Sequence, residues 1–212
     1  MKTTKSFLLF AVILLMAACS SEPQKPAESK PAAESKPAFQ NTYVTGREAL
    51  QKMYIAARSW APDAKPYNLD SQPTKESNGQ DGNAGIWQAG FASPSKREVK
   101  MFSWSGIKAD GAPEPGIASR PSDIYNPANT YTQIFDIAFL KIESTQALEE
   151  ANKHGGDKLL KKSPDTQIFY VLDWDGKKNN LVWRVLYGET KNDPKLAVDV
   201  DASTGQFLRV ER

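Results

Sequence analysis

Cysteine and histidine are nearly missing from this chain, with one of each in 212 residues. A single histidine excludes metal sites built from several imidazoles. It would also have to be the base of any Ser-His-Asp triad. His154 stands in Lys153-His154-Gly155-Gly156, a helix-ending pattern in which a cation faces the last free carbonyls, so capping is its expected role. Long hydrophobic runs are missing too. The longest, residues 7–16, falls short of the roughly 20 apolar residues that cross a bilayer core. An excess of one charge is the third absence. Without residues 1–18, which hold Lys2 and Lys5 and no acid, basic and acidic residues balance at 25 each. No basic cluster stands out, so the electrostatic footprint of a nucleic-acid binder is lacking and nucleic acid is not an expected partner.

What is present begins with an address. Lys2 and Lys5, the apolar run and the small residues Ala17 and Ala18 have the three-part form of an export signal over residues 1–18. The one cysteine, Cys19, follows at once. Met16-Ala17-Ala18-Cys19 resembles the lipobox of bacterial lipoproteins, with Met16 where leucine is commoner. The resemblance implies a thiol joined to diacylglycerol, cleavage before Cys19 and an acylated new amine. Cys19 is thus the expected lipidation site, and the membrane is the expected partner through that anchor, since two or three acyl chains hold a protein stably. Ser20 stands where aspartate marks inner-membrane retention in some Gram-negative bacteria, which implies the outer membrane, facing the periplasm, in such an organism. An ordinary cleaved signal with an incidental cysteine is the alternative.

Residues 19–40 alternate Lys-Pro-Ala and Glu-Ser units and have no large apolar residue before Phe39. Such a stretch buries too little surface to offset the entropy of ordering and is expected to act as an extended tether. The rest is enough for one ordinary domain or two small ones.

A weak internal repeat suggests two. Residues 86–106, IWQAGFASPSKREVKMFSWSG, and 182–205, VWRVLYGETKNDPKLAVDVDASTG, each open an apolar strand with tryptophan. Each continues through a polar connection to a second strand and a Gly turn. A helix is expected ahead of each pair. Thr45-Gly46-Arg47-Glu48 reads as a capping box with Val44 as staple, and Leu50, Met53, Tyr54, Ala57 and Trp60 recur at helical spacing until Pro62. Residues 144–156 give a shorter helix ending at Gly155-Gly156. QIFYVLDW and NLVWRVLYGE then flank a hairpin turn at residues 175–179. The expected fold is therefore α+β: two tandem units, residues 41–108 and 133–212, each one helix on an antiparallel sheet. Residues 109–132 form a Pro-rich connecting loop between them.

The Ala-Leu-Glu-Glu-Ala helix, the Trp-Arg-Val-Leu-Tyr strand and the ending VDVDASTGQFLRV resemble the PepSY family and its cystatin-like relatives, well over residues 136–212 and loosely over 44–106. The resemblance implies a helix against a curved antiparallel sheet, exported or membrane-facing, with a proposed role in restraining peptidases. It brings no catalytic residue and no cofactor.

Among candidate sites, Asp199, Asp201 and Ser203 alternate like the opening of a calcium loop. Gly205 comes one place late, however, and Val210 stands where a bidentate glutamate is needed, so no metal site is expected. Asp199 and Asp201 read instead as the solvated face of a strand whose Val198 and Val200 point inward, and Asp173 and Asp175 as turn residues. The five tryptophans, 60, 87, 104, 174 and 183, are expected to fill cores. Trp174, beside the hairpin turn, is the candidate for exposure and ligand binding. Alternation puts Trp183 with Leu181, Val185 and Tyr187 on one face, and Arg184 with Val182 and Leu186 on the other. The functional expectation is a non-enzymatic, membrane-anchored envelope lipoprotein that binds or modulates an envelope protein or peptidase. The alternatives are an envelope enzyme using Asp173, Asp175, Asp199 and Asp201, or a structural spacer.

Overall fold

The computed structural model describes residues 39–211; the expected export signal, Cys19 and most of the expected tether lie outside the described residues. Helix α1 (Gly46–Trp60) begins where expected, with Thr45 Oγ1 accepting from the Glu48 amide at 3.4 Å. It buries Leu50, Met53 and Ala57, while Tyr54 and Trp60 are half-buried at its flank. Strands β1 (Lys65–Ser71), β2 (Ile86–Ser93) and β3 (Glu98–Ser105) follow as an antiparallel meander. In the second half, α2 (Ser144–Ala151) leads toward β6 (Gln167–Asp175), β7 (Asn180–Gly188), β8 (Leu196–Asp201) and β9 (Phe207–Glu211), a second antiparallel meander.

These strands form one sheet. β1 and β6 pair antiparallel through Leu69↔Leu172, and with a further strand β4 (Gly116–Ser119) the order is β4-β3-β2-β1-β6-β7-β8-β9. A row of directly paired residues crosses it on the helix-covered face: Phe102, Ala89, Leu69, Leu172, Trp183 and Val200. All are buried in one core with the inner residues of α1 and α2. Each large aliphatic or aromatic side chain so buried contributes roughly 1.5–3 kcal/mol.

Three segments depart from the expectation. Residues 109–132 are more than a connecting loop: they supply β4 (Gly116–Ser119) and β5 (Asp123–Ile124), both paired to the outer edge of β3. That edge carries backbone groups that need partners, and a proline-rich segment can still pair on one side. The second helix does not end at Gly155-Gly156. A π-turn (Asn152–Gly156) carries the path into α3 (Asp157–Lys162), with Gly155 at φ +121° absorbing a kink that a side chain would oppose. β1 itself has no clear alternation in the sequence, because a register shift between Pro66 and Asn68 interrupts it.

The helix starts meet at the centre. The buried Ser144 hydroxyl, at the head of α2, accepts from the Gly46 amide of α1 at 2.9 Å and donates to Gly82 O at 2.6 Å. One serine thus serves a free amide at the start of α1 and a loop carbonyl together.

Candidate functional site

The face of the sheet turned away from the helices carries a second row of paired residues. It runs Ser103, Gln88, Asp70, Val171, Arg184, Asp199 and Arg209 from β3 to β9. It is neutral at one end and charged at the other, because alternation sends these residues opposite the core row.

Two connections fold over this face. The β7–β8 connection reaches back across two strands, where Lys191 Nζ pairs with the Asp70 carboxylate of β1. Val182 and Leu186, on the open face, are nonetheless buried. The segment after β5 lies against β1, with the Phe135 amide donating to Pro66 O at 2.9 Å, and a 3₁₀ turn (Thr130–Thr132) held by Asn129 presents Tyr131. This segment borders a cleft of about 820 Å³. Its floor is Val171, Asp173 and Arg184, and its sides include Tyr67, Asn68, Tyr131, Gln133 and Trp174.

Below and beside the cleft lies a charge network. Arg184 Nη1 donates to Asp173 Oδ2 at 3.1 Å. Arg209 Nη1 donates to Asp175 Oδ2 at 3.3 Å, and its Nη2 donates to Glu211 Oε1 at 2.7 Å. Asp199, fully buried between the two arginines, is 2.7 Å from Arg209 Nη2 and 3.7 Å from Arg184 Nε. The first approach lies off the N–H direction and the second is too long, so neither Asp199 oxygen has a hydrogen-bond partner. Four carboxylates face two guanidiniums, and one carboxylate is out of water. Burial, with the nearby Glu211 charge adding to it, pushes the Asp199 carboxyl up to about 6 against the pull of Arg209 and Arg184. Burial also raises Asp173 above the usual carboxylate range, and the Arg184 charge opposes the rise.

The remaining candidate carboxylates hold turns. Asp201 Oδ1 accepts from the amides of Ser203 and Thr204 at 2.9 and 2.8 Å, and its Oδ2 accepts from Asn180 Nδ2 at 3.0 Å. Burial disfavours its charge, but these bonds hold the carboxyl below the usual range. Asp175 accepts from the Lys177 and Lys178 amides of the hairpin; with Arg209 they outweigh burial and lower it likewise.

The structure therefore corrects one reading of the ending motif. Asp199 is not on a solvated face; the arginines of the two neighbouring strands close over it. Asp173 and Asp175, both on β6, line the cleft, whereas Asp199 lies beneath it and Asp201 beside it in the turn. Among the described residues no group of three or more His, Cys, Asp or Glu side chains is placed to hold a metal ion. His154 does not cap the helix end. Its ring stacks on Phe207 with centroids 3.7 Å apart, and Nε2 is 3.2 Å from Glu150 Oε1. Trp87, Trp104 and Trp183 are buried, and Trp60 is half-buried. Trp174 is also only half-buried: it packs on Phe139 at 5.4 Å between ring centroids and lines the cleft. Arg209, Tyr67 and Tyr131 are site residues that sequence reasoning missed. The signal for Arg209 was its place one strand from Asp199; Tyr131 sits in a segment with no periodicity.

No family model matches the chain, and no curated protein matches it. Among solved structures, the chain is similar to the crystal structure of a Clostridium difficile 630 protein described as a lipoprotein. The TM-score is 0.50 at 12% identity, covering 77% of this chain and 91% of that one. At that identity the likeness concerns the fold. Among the described residues, no helix is long and apolar enough to cross a membrane.

Proposed function

We propose that the chain is a lipid-anchored lipoprotein of the bacterial envelope, whose folded part is a non-enzymatic binding module made of two tandem PepSY-like units. Cys19 after the apolar run, followed by the tether, supports the anchor. The repeated order of helix and antiparallel meander in one sheet supports the tandem reading, with α1 against β1–β3 and α2 against β7 and β8. The likeness in fold to a protein described as a lipoprotein agrees with the lipoprotein reading. The observation that carries the binding role is the cleft on the open face, walled by aromatic and amide side chains. An envelope protein, such as a peptidase held in check, is the partner class that the PepSY resemblance suggests.

The test is fractionation with cross-linking in the native cells. The wild type should sediment with membranes and bring a recurring envelope protein. Cys19→Ala should leave the membrane fraction with its folded part intact. Retention of the Cys19→Ala protein in membranes would refute the anchor, and recovery of the wild type alone at full yield would refute the protein-binding role.

An envelope enzyme is the second reading, favoured by Asp173, which lines the cleft with its carboxyl raised by burial. Hydrolysis of an envelope substrate that disappears in Asp173→Asn, with the fold retained, would establish it.

A further inference from the structure

The binding-module reading leaves the chemistry of the ligand open, and the cleft narrows it. We propose that the cleft binds a neutral oligosaccharide chain, with sugar rings seated on Tyr131, Tyr67 and Trp174 and their hydroxyls held by Asn68, Gln133 and the Asp173–Arg184 couple. This deepens the binding-module reading and rests on it.

Three observations lead there. First, the floor is sheet face, not sheet edge. Where it floors the cleft at Val171 and Asp173, β6 is paired on both sides, to Asn68–Asp70 of β1 and to β7, so an extended peptide cannot add there as a strand. Recognition on that floor must come from side chains. Second, those side chains are flat. Tyr131 is 89% exposed on a turn whose backbone is held by Asn129, whose Oδ1 accepts from the Tyr131 amide at 3.0 Å. Tyr67 is fixed through its hydroxyl, 3.1 Å from Met101 Sδ, and Trp174 is braced by Phe139. An aromatic face offers apolar area at little entropic cost and matches the C–H face of a sugar ring. Asn68 Oδ1 accepts from the Gly90 amide at 2.7 Å, which fixes the carboxamide and leaves its NH₂ donors for a ligand. The Asp173–Arg184 ion pair sets a fixed acceptor and donor side by side, as paired hydroxyls require.

Third, the charges nearly balance, three cations against four carboxylates. Lys177, Arg184 and Arg209 line the cleft with Asp173 and Asp175, while Asp199 and Glu211 lie against Arg209. Such a site attracts neither a polyanion nor a strongly basic chain. A ligand with apolar faces and many uncharged hydroxyls fits, and about 820 Å³ lies within the roughly 300–1,000 Å³ of small-molecule sites.

The test is calorimetry on the full chain in detergent, with the N-acetylglucosamine tetramer and maltotetraose as probes and an uncharged peptide of similar mass as control. Saturable binding of one or both saccharides is expected. Tyr131→Ala, at an exposed position that leaves the fold intact, should weaken it by about tenfold, whereas Tyr131→Phe, which keeps the ring, should bind like the wild type. Absence of saccharide binding, or binding indifferent to Tyr131→Ala, overturns the proposal. If the saccharides fail but cross-linking still captures an envelope protein, only the saccharide inference falls. If both fail, the binding-module reading falls with it.

Discussion

The indoles of Trp87 and Trp183 make the same hydrogen bond in the two halves of the chain. Trp87 Nε1 donates to Val44 O at 3.1 Å and Trp183 Nε1 to Ile142 O at 2.9 Å. Each acceptor lies two residues ahead of a helix, α1 or α2. Each tryptophan thereby pins the chain where it turns from an extended lead-in into a helix, and each buries a large ring whose one polar atom is satisfied. The two rings then converge on one small residue, Gly46, the first of α1.

Gly46→Ala should destabilise the fold by about 1–3 kcal/mol, because the added Cβ would stand 2.5 Å from Trp183 Cη2 and 2.9 Å from Trp87 Cη2. Aromatic rings locked by hydrogen bonds on the far side have little room to yield. Urea unfolding of the variant against wild type checks this, and an unchanged midpoint would mean that the rings are looser than their contacts imply.

Ser144→Ala removes the hydroxyl that joins the Gly46 amide to Gly82 O, leaving a buried donor and a buried acceptor without partners. A loss of about 2–3 kcal/mol is expected. Ser144→Thr, which keeps the hydroxyl, should recover part of it, so the pair of variants separates hydrogen bonding from packing.

Stability should carry a pH signature from Asp199. Its carboxyl sits at about 6 in the fold against an ordinary 3.8, so the folded state holds the proton more tightly than the unfolded chain does. The contribution is thus intact below about pH 4, falls as pH rises toward 6 and is gone above it, a change of about 3 kcal/mol. Asp199→Asn cannot titrate. Relative to wild type it should gain about that much between pH 4 and pH 7, measured by urea unfolding at both. A constant difference would show that the arginines hold Asp199 ionised throughout.

Lys191→Ala should free the β7–β8 connection from Asp70. Global stability should change by under about 1 kcal/mol, since the lysine is partly solvated. Amide hydrogen exchange in residues 189–195 should accelerate while β6 and β7 stay protected. Equal exchange in wild type and variant would locate the latch elsewhere.

Much of the second half was legible in local patterns. The hairpin of β6 and β7, the turn at residues 202–205 and the opposite faces of Trp183 and Arg184 follow from alternation and turn residues, which act over a few positions. Strand β1 was not legible, because its bulge breaks the alternation by which a strand is recognised. Nor were β4 and β5, which form because β3 offers them an edge rather than through their own propensity. The cleft was out of reach for a related reason. Trp174 could be singled out beside its turn, but Tyr131, which also lines the cleft, comes from a segment without periodicity.

Local sequence was sufficient for the helix starts, the second meander and the opposite faces of its strands, since those depend on neighbours within a few residues. Whether a polar face is wet or covered depends on segments distant in the chain. Asp199 reads as solvated from its own strand, and only the packing of Arg184 and Arg209 beside it makes it a buried charge. The two meanders join into one sheet through a short ladder of three pairs, Asn68–Asp70 with Val171–Asp173, across about a hundred residues. No short-range pattern encodes that contact; the tertiary structure alone decided it, by matching two strand edges whose backbone groups would otherwise be left unpaired.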